Sequence, residues 1–148
     1  MPSEPPRIPP RPPAHVERLR VRYSDTDAQG IAHHSNYFRW LEEARIGWLA
    51  ALGHDYAGLN RRGVFIPLTN CACGFAAPLS AGDIVDVRLW LDGATRVRAS
   101  FVYEVVRGDQ VVAQAASAHA IVDAAGRPRR LARDDPFWCS LHDLGPQP

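Results

Sequence analysis

The sequence contains no lysine, and all 17 of its Lys and Arg positions are arginines. This absence excludes Schiff-base chemistry and lysine nucleophiles, and it leaves planar guanidinium groups as the only permanent side-chain cations for binding phosphate. Acidic residues nearly balance the arginines, and the formal net charge is +1. A protein with so small a net charge is not expected to bind nucleic acid or a membrane through its overall charge.

Cysteines and long apolar runs are also scarce. Cys71, Cys73 and Cys139 are odd in number and lack Cys-x-x-Cys spacing, which is unlike a disulfide framework or a zinc knuckle. No stretch reaches the roughly 20 apolar residues of a membrane span, and the first residues lack the apolar segment of a signal peptide. We therefore expect a cytoplasmic protein with reduced thiols, and no membrane or nucleic acid among its partners.

Proline is concentrated at the start of the chain, where residues 1–13 hold seven of the 13 prolines. This composition offers almost nothing to bury and predicts a disordered, Pro-rich tail over residues 1–15. Residues 16–148 are then expected to form a single domain, since their number suits one hydrophobic core.

Hydrophobic periodicity predicts a strand, one long helix and then a series of strands. In chain order these are a strand over 16–23, a helix from Ser35 that Gly53 ends, and strands over 64–79, 83–91, 96–106 and 110–123. Turn signals at Asp92-Gly93 and Gly108-Asp109 separate the last three strands. Short turns force antiparallel pairing, so the predicted class is α+β, with about five antiparallel strands curled round one central helix.

The stretch "SDTDAQGIAHHSNYF", residues 24–38, joins the first strand to the helix. Taken alone, Asp27 is explained as a turn carboxylate bonded to backbone amides, and Asp25 as a loop residue paired with an arginine such as Arg22. A metal site is not predicted, because the adjacent His33 and His34 cannot point to one side and no His-x-x-x-His pair is present. A serine hydrolase would need a Gly-x-Ser-x-Gly elbow, which is missing.

The segment "RYSDTDAQGIAHHSNYFRWLEEAR" resembles the active-site segment of hot-dog-fold thioesterases of the 4-hydroxybenzoyl-CoA thioesterase family. The specific part of the resemblance is the string D-x-D-x-x-G-I-x-x-H-x-N-Y, which is formed by Asp25, Asp27, Gly30, Ile31, His34, Asn36 and Tyr37. The order of strand, loop, helix and antiparallel strands over roughly residues 16–131 is also similar to that family. The resemblance implies a hot-dog fold and an acyl-CoA thioesterase without metal or cofactor.

The family also implies roles at these positions. Asp27 matches the catalytic carboxylate, and His34 matches the residue whose backbone N–H holds the thioester oxygen. Gly30 and Ile31 belong to the loop that the acyl group approaches, and Asn36 and Tyr37 complete the expected substrate-binding string. His33 has no counterpart, so the choice between the two imidazoles stays open. The chemistry is consistent, because N–H groups at a helix start suit an oxyanion and Asp27 could act as base or as nucleophile.

Arginines are the expected ligands of the CoA phosphates. The predicted phosphate-binding rim consists of Arg96, Arg98, Arg129 and Arg130, which lie outside the chemical site. The family pairs its domains so that each site is built from two chains, and a homodimer or a homotetramer is therefore expected.

Two other functions remain open from the sequence, a hot-dog module that binds acyl-CoA without hydrolysis and a hot-dog hydratase. The acyl group, and the choice between CoA and acyl-carrier protein, are not assigned. Within the helix, spacing predicts ion pairs of Arg39 with Glu43 and of Glu42 with Arg45.

Overall fold

A computed structural model describes residues 4–144. Its elements are β1 (His15–Arg20), α1 (Ser35–Ala51), α2 (Tyr56–Arg61), β2 (Leu68–Phe75), β3 (Ile84–Thr95), β4 (Arg98–Arg107), β5 (Gln110–Ala120) and α3 (Pro136–Leu144). All five strands form one antiparallel sheet in the order β1-β3-β4-β5-β2. The predicted α+β class with a five-stranded antiparallel sheet is confirmed, and the arrangement is that of a hot-dog fold.

The core lies between α1 and one face of the sheet. Helix α1 buries the stripe predicted from its 3.6-residue period, including Tyr37, Leu41 and Trp48. Alternate residues of the central strands face it, because side chains in a strand point to opposite faces in turn. Phe101 of β4, for example, meets Trp48 edge to face with ring centroids 5.2 Å apart. Gly53 ends the helix with φ +79°, as its position predicted.

One predicted turn is wrong. Strand β3 does not stop at Asp92-Gly93 but continues to Thr95, and the chain reverses between Thr95 and Arg98. The register shifts between Leu91 and Gly93, so the glycine marks a β-bulge instead of a hairpin turn. The second turn is as predicted, with Gly108 at φ +60° between β4 and β5.

The described part of the Pro-rich segment lies against the outer face of the sheet, the face turned away from α1. Arg11 donates from Nη2 to the Leu91 carbonyl at 2.7 Å, and its own carbonyl accepts from Nε1 of Trp90 at 2.8 Å. Trp90 is paired in register with Val102, and both outer-face side chains are buried. Residues 11–15, which fall within the tail predicted over 1–15, thus lie against β3, which offers them hydrogen bonds and an apolar surface.

The helical ion pairs predicted within α1 are also wrong. Arg39 binds Asp25 of the preceding loop, and Arg45 donates to the Tyr103 hydroxyl across the core. Tertiary partners have displaced the local ones in both cases. Within residues 4–144, no helix is long and apolar enough to span a membrane.

Candidate active site

The loop between β1 and α1 is held in a compact turn around Asp27. The Asp27 N–H donates to the Ile31 carbonyl at 2.9 Å, and the Gly30 N–H donates to the Asp27 carbonyl at 3.0 Å. Gly30 has φ +77°, a conformation that a residue without Cβ adopts at little cost. Ala32 then fixes the loop to the rest of the fold by donating to the Leu79 carbonyl at 2.8 Å. The Asp27 side chain is exposed and accepts only the Gln29 N–H, at 2.8 Å, among the described residues.

Asp25 holds the loop together. Its carboxylate is 3% exposed and accepts the Arg22 N–H at 2.8 Å and an Arg39 N–H at 2.6 Å. Its carbonyl accepts the His33 N–H and the Asn36 side-chain amide, both at 2.8 Å. Asn36, which the sequence pattern predicted to bind substrate, thus uses its amide within the protein. The loop is anchored to the first turn of α1 by these bonds.

The two histidines stand at the start of α1 and differ in what they do there. Nδ1 of His33 lies 2.8 Å from the Ser35 hydroxyl and accepts the Ser35 N–H at 3.2 Å. His34 occupies the N-cap position, and its ring is exposed, with its centroid 4.0 Å from that of His33. Among residues 4–144, no acceptor takes the His34 N–H. This donor is therefore available to a ligand at the positive end of the helix.

Four of the predicted site residues line one cavity of about 360 Å³. Its lining comprises Asp27, Ile31, Ala32, His34, Tyr37, Phe75, Ala76, Ala77 and Pro78. Tyr37 is almost fully buried, which raises its pKa, and its ring meets that of Phe75 at a centroid distance of 4.8 Å. The wall from Phe75 to Pro78 was not identified from the sequence, because only the fold brings the end of β2 to the loop.

The predicted phosphate-binding arginines do not lie beside this cavity. Arg98 begins β4, whereas Arg107 ends it and donates to the carbonyl of Pro78 in the cavity wall at 3.2 Å. The two lie nine positions apart along the strand, which is about 30 Å. Arg129, also predicted for the rim, donates from its guanidinium to the carbonyls of Arg62 and Gly63, each at 2.8 Å.

Arg96 and Arg130 do come together, at the far end of the sheet. With Arg133, Trp138 and His142 they line a cavity of about 530 Å³. Partial burial, and the charges of Arg130 and Arg133, lower the pKa of Arg96. Arg133 was not singled out in the sequence, because its distance along the chain from Arg96 gives no sign of their proximity. Within the described residues, no group of three or more His, Cys, Asp or Glu side chains could hold a metal ion.

Comparison with known proteins agrees with this architecture. A model of the "Thioesterase-like superfamily" matches residues 21–137. A protein of Aquifex aeolicus (strain VF5) named "Putative esterase" is 40% identical over 107 residues, 72% of this chain and 84% of that protein. The 1,4-dihydroxy-2-naphthoyl-CoA hydrolase of Synechococcus sp. (strain CC9605) is 33% identical over 138 residues, 84% of this chain and 89% of the relative. The crystal structure of hypothetical protein TT1821 from Thermus thermophilus matches with a TM-score of 0.82 at 33% identity, over 88% of this chain and 98% of that one.

The sheet, the loop and the start of α1 define a hot-dog-fold thioesterase, the class that the sequence pattern indicated. The matched model covers most of the chain, which therefore belongs to the thioesterase-like superfamily. Its family membership, predicted from the D-x-D-x-x-G-I-x-x-H-x-N-Y string, is confirmed.

Proposed function

We propose that the chain hydrolyses acyl-CoA thioesters in the cavity of Asp27, His34 and Tyr37. The observation that carries the proposal is the meeting of an exposed carboxylate and a free helix-start N–H on one cavity. The thioester oxygen accepts the His34 N–H, and the developing negative charge is stabilised by that donor and by the helix dipole. The chain's membership of the thioesterase-like superfamily supports this assignment.

Asp27 provides the second half of the chemistry in one of two ways. As a base it takes a proton from a water molecule, whose oxygen attacks the thioester carbon. As a nucleophile it attacks that carbon itself and forms an anhydride, which water then hydrolyses. In both routes the C–S bond breaks, the thiolate of CoA leaves, and the acyl group is released as a free acid. The exposed position of Asp27 is compatible with both.

A homodimer joined through β2 would complete the site. Strand β2 is an edge of the sheet, and Leu68 and Phe75 at its ends are each about half exposed, at 52% and 51%. Unpaired edges of this kind are pairing surfaces. A twofold axis between residues 71 and 72 would set Phe75 of one copy opposite Leu68 of the other. Leu68 lines a second cavity of about 580 Å³, so each Asp27 cavity would adjoin the second cavity of the other copy.

The same twofold axis would place the arginine cluster of one copy near the Asp27 cavity of the other. Arg96, Arg130 and Arg133 lie at the end of the sheet opposite to Asp27 in their own chain, and pairing through β2 reverses that direction. The strand order puts β4 two positions from β2, and the proposed pairing puts β2 of the other copy one position further, which makes roughly 15 Å across the joined sheet. That separation suits the long pantetheine arm of CoA. We propose that this cluster binds the CoA phosphates, with guanidinium groups as bidentate donors.

The test is thiol release from a panel of aromatic, short straight-chain and branched acyl-CoA thioesters. On the best substrate, Asp27→Asn should lower kcat by at least ~100-fold, because it removes the base or nucleophile while keeping the size of the side chain. Asp92→Asn is the matched control, since Asp92 is exposed and lies on β3 away from the loop. Hydrolysis by Asp27→Asn at the wild-type rate would show that the assignment is wrong.

A further inference from the structure

A row of polar side chains crosses the core beneath α1 and takes no part in the chemistry proposed above. Arg45 donates from Nη1 to the Tyr103 hydroxyl at 3.0 Å. That hydroxyl lies 2.7 Å from the Ser117 hydroxyl, which lies 3.0 Å from Nε2 of His119. All four side chains are buried, with Arg45 8% and His119 3% exposed. Apolar side chains could fill this part of the core without burying a charge, so the polar row is not explained by packing alone.

The row carries a positive charge that pairs directly with no carboxylate of the described chain. Within residues 4–144, no carboxylate lies within salt-bridge distance of Arg45, and its Nε has no acceptor. His119 adds no compensating charge, because an imidazole is either neutral or positive, and its Nδ1 also lacks a partner. Burying an ion without a counter-ion has a large free-energy cost. A negative group from outside the chain would offset this cost.

A cavity beside the row can receive such a group. Arg45 and His119 line the space of about 580 Å³ between α1, α2 and the end of β5. Phe65, Ile66 and Val122 supply apolar walls. The volume and the mixture of apolar walls with a few polar groups are those of a small-molecule site.

Two carboxylates also lie on this cavity, and neither cancels the charge of Arg45 by a direct pair. Asp123 accepts the N–H groups of Ala125 and Arg127, each at 2.9 Å, and so stabilises its own turn. Glu42 is exposed, one turn of α1 before Arg45. Its negative charge lies on the cavity lining, where it would oppose a bound anion.

We propose that this cavity binds a small organic acid, with the carboxylate on Arg45 and an apolar body against Phe65, Ile66 and Val122. A carboxylate accepts two N–H donors of a guanidinium in a fork, and this pairing is the strong form of the charge-assisted hydrogen bond. The inference goes beyond the proposed thioesterase function, because binding of a free acid needs neither Asp27 nor a second copy.

Calorimetric titration of the full chain with benzoate, benzyl alcohol and benzamide tests the proposal. Benzoate should bind at least ~10-fold more tightly than the two neutral probes, a difference of about 1.4 kcal/mol. Arg45→Met should remove that preference and leave the binding of benzyl alcohol unchanged. Arg20→Ala, which removes an exposed charge from β1 at the opposite edge of the sheet, should bind benzoate as the wild type does. Equal binding of benzoate and benzyl alcohol to the wild type would overturn the proposal, as would full preference in Arg45→Met.

A second variant covers the case in which Arg45→Met does not fold. Glu42→Gln removes the opposing charge at an exposed position, and benzoate should then bind several-fold more tightly while benzyl alcohol does not. An unchanged benzoate affinity in Glu42→Gln would contradict the proposal.

The acid could be the product of the thioesterase reaction or a separate metabolite. Inhibition of acyl-CoA hydrolysis by benzoate distinguishes these two sources. Competitive inhibition by benzoate that is lost in Arg45→Met would identify the acid as the product that hydrolysis of the acyl-CoA releases. Benzoate binding without inhibition would identify a separate free acid. Failure of the thioesterase proposal appears in the Asp27→Asn assay and leaves the titration with benzoate unaffected.

Discussion

Lowering the pH from 7 to 4 should destabilise the folded protein because of His119. Its imidazole is 3% exposed and lies among Arg45, Tyr103 and Ser117. Burial disfavours the charged imidazolium, and the positive charge of Arg45 disfavours it further. These two causes lower the pKa of His119 from 6.5 to about 4.

The sign of the effect follows from counting protons. In the unfolded chain, His119 is protonated below its ordinary pKa of about 6.5, whereas in the folded chain it stays neutral down to about 4. Between these values the unfolded state binds the extra proton, so the free energy of unfolding decreases as the pH falls. A difference of about 2.5 pKa units at 1.36 kcal/mol each gives roughly 3 kcal/mol over the window. Above pH 6.5 this contribution is fully present and constant.

Urea denaturation at a series of pH values and a fixed protein concentration measures this loss. The fixed concentration matters because the stability of an oligomer depends on it. His119→Gln keeps a hydrogen-bonding group next to Ser117 but cannot titrate. Between pH 6.5 and pH 4, the free energy of unfolding of His119→Gln should therefore fall by about 3 kcal/mol less than that of the wild type. Parallel curves for wild type and variant across that window would refute the reasoning.

Three further predictions concern the arginine cluster, the Pro-rich segment and assembly. Arg96→Ala with Arg130→Ala should raise KM for a CoA thioester by at least ~10-fold at nearly constant kcat, and it should not affect a pantetheine thioester. Arg98→Ala is the control. If the double variant has the same KM change for both thioesters, Arg96 and Arg130 do not bind the CoA phosphates. Deleting residues 1–13 should shift the fluorescence of Trp90 to the red and lower the free energy of unfolding by about 1–3 kcal/mol. Two hydrogen bonds and the apolar cover of Trp90 are lost in this variant. Unchanged emission would contradict the contact with Arg11. Light scattering should give at least twice the chain mass of 16.4 kDa, and a mass of one chain at micromolar concentration would rule out the shared site.

Much of the fold could be predicted from periodicity, because burial repeats with the geometry of each element. The stripe of α1 has the 3.6-residue period of a helix, and the core-facing residues of β4 recur at every second position, although Val102 and Val106 are buried on its outer face as well. The errors lie where local chemistry permits two outcomes. Asp92-Gly93 is a strong turn signal, but a glycine within a strand equally permits a bulge, and the pairing of β3 with β4 decides between them. The short α2 has neither the length nor the period to be recognised in advance.

The candidate site was predictable only where its residues are neighbours in the sequence. Asp27 and His34 lie seven positions apart on one loop and reach the same cavity. Tyr103 and His119 come from different strands, and their alternation indicates only which face they share. Their hydrogen-bonded row with Arg45 depends on the pairing of β4 with β5 and on how α1 lies across both.

The two acids of the quoted loop show why the structure is needed to choose between them. Asp25 and Asp27 are two residues apart and equally acidic in sequence terms. The Asp25 carboxylate is buried, one oxygen accepting from Arg22 and the other from Arg39. To attack or deprotonate anything it would have to break the bonds that hold the loop. Asp27 is exposed on the cavity with one oxygen outside the bond to Gln29. Asp25→Asn should therefore act on stability and only indirectly on turnover, whereas Asp27→Asn should act on kcat with the fold intact. The melting temperature and the rate of thiol release, measured for both variants, separate an effect on stability from an effect on turnover. An Asp25→Asn variant that melts at the wild-type temperature but has lost turnover would reverse the assignment.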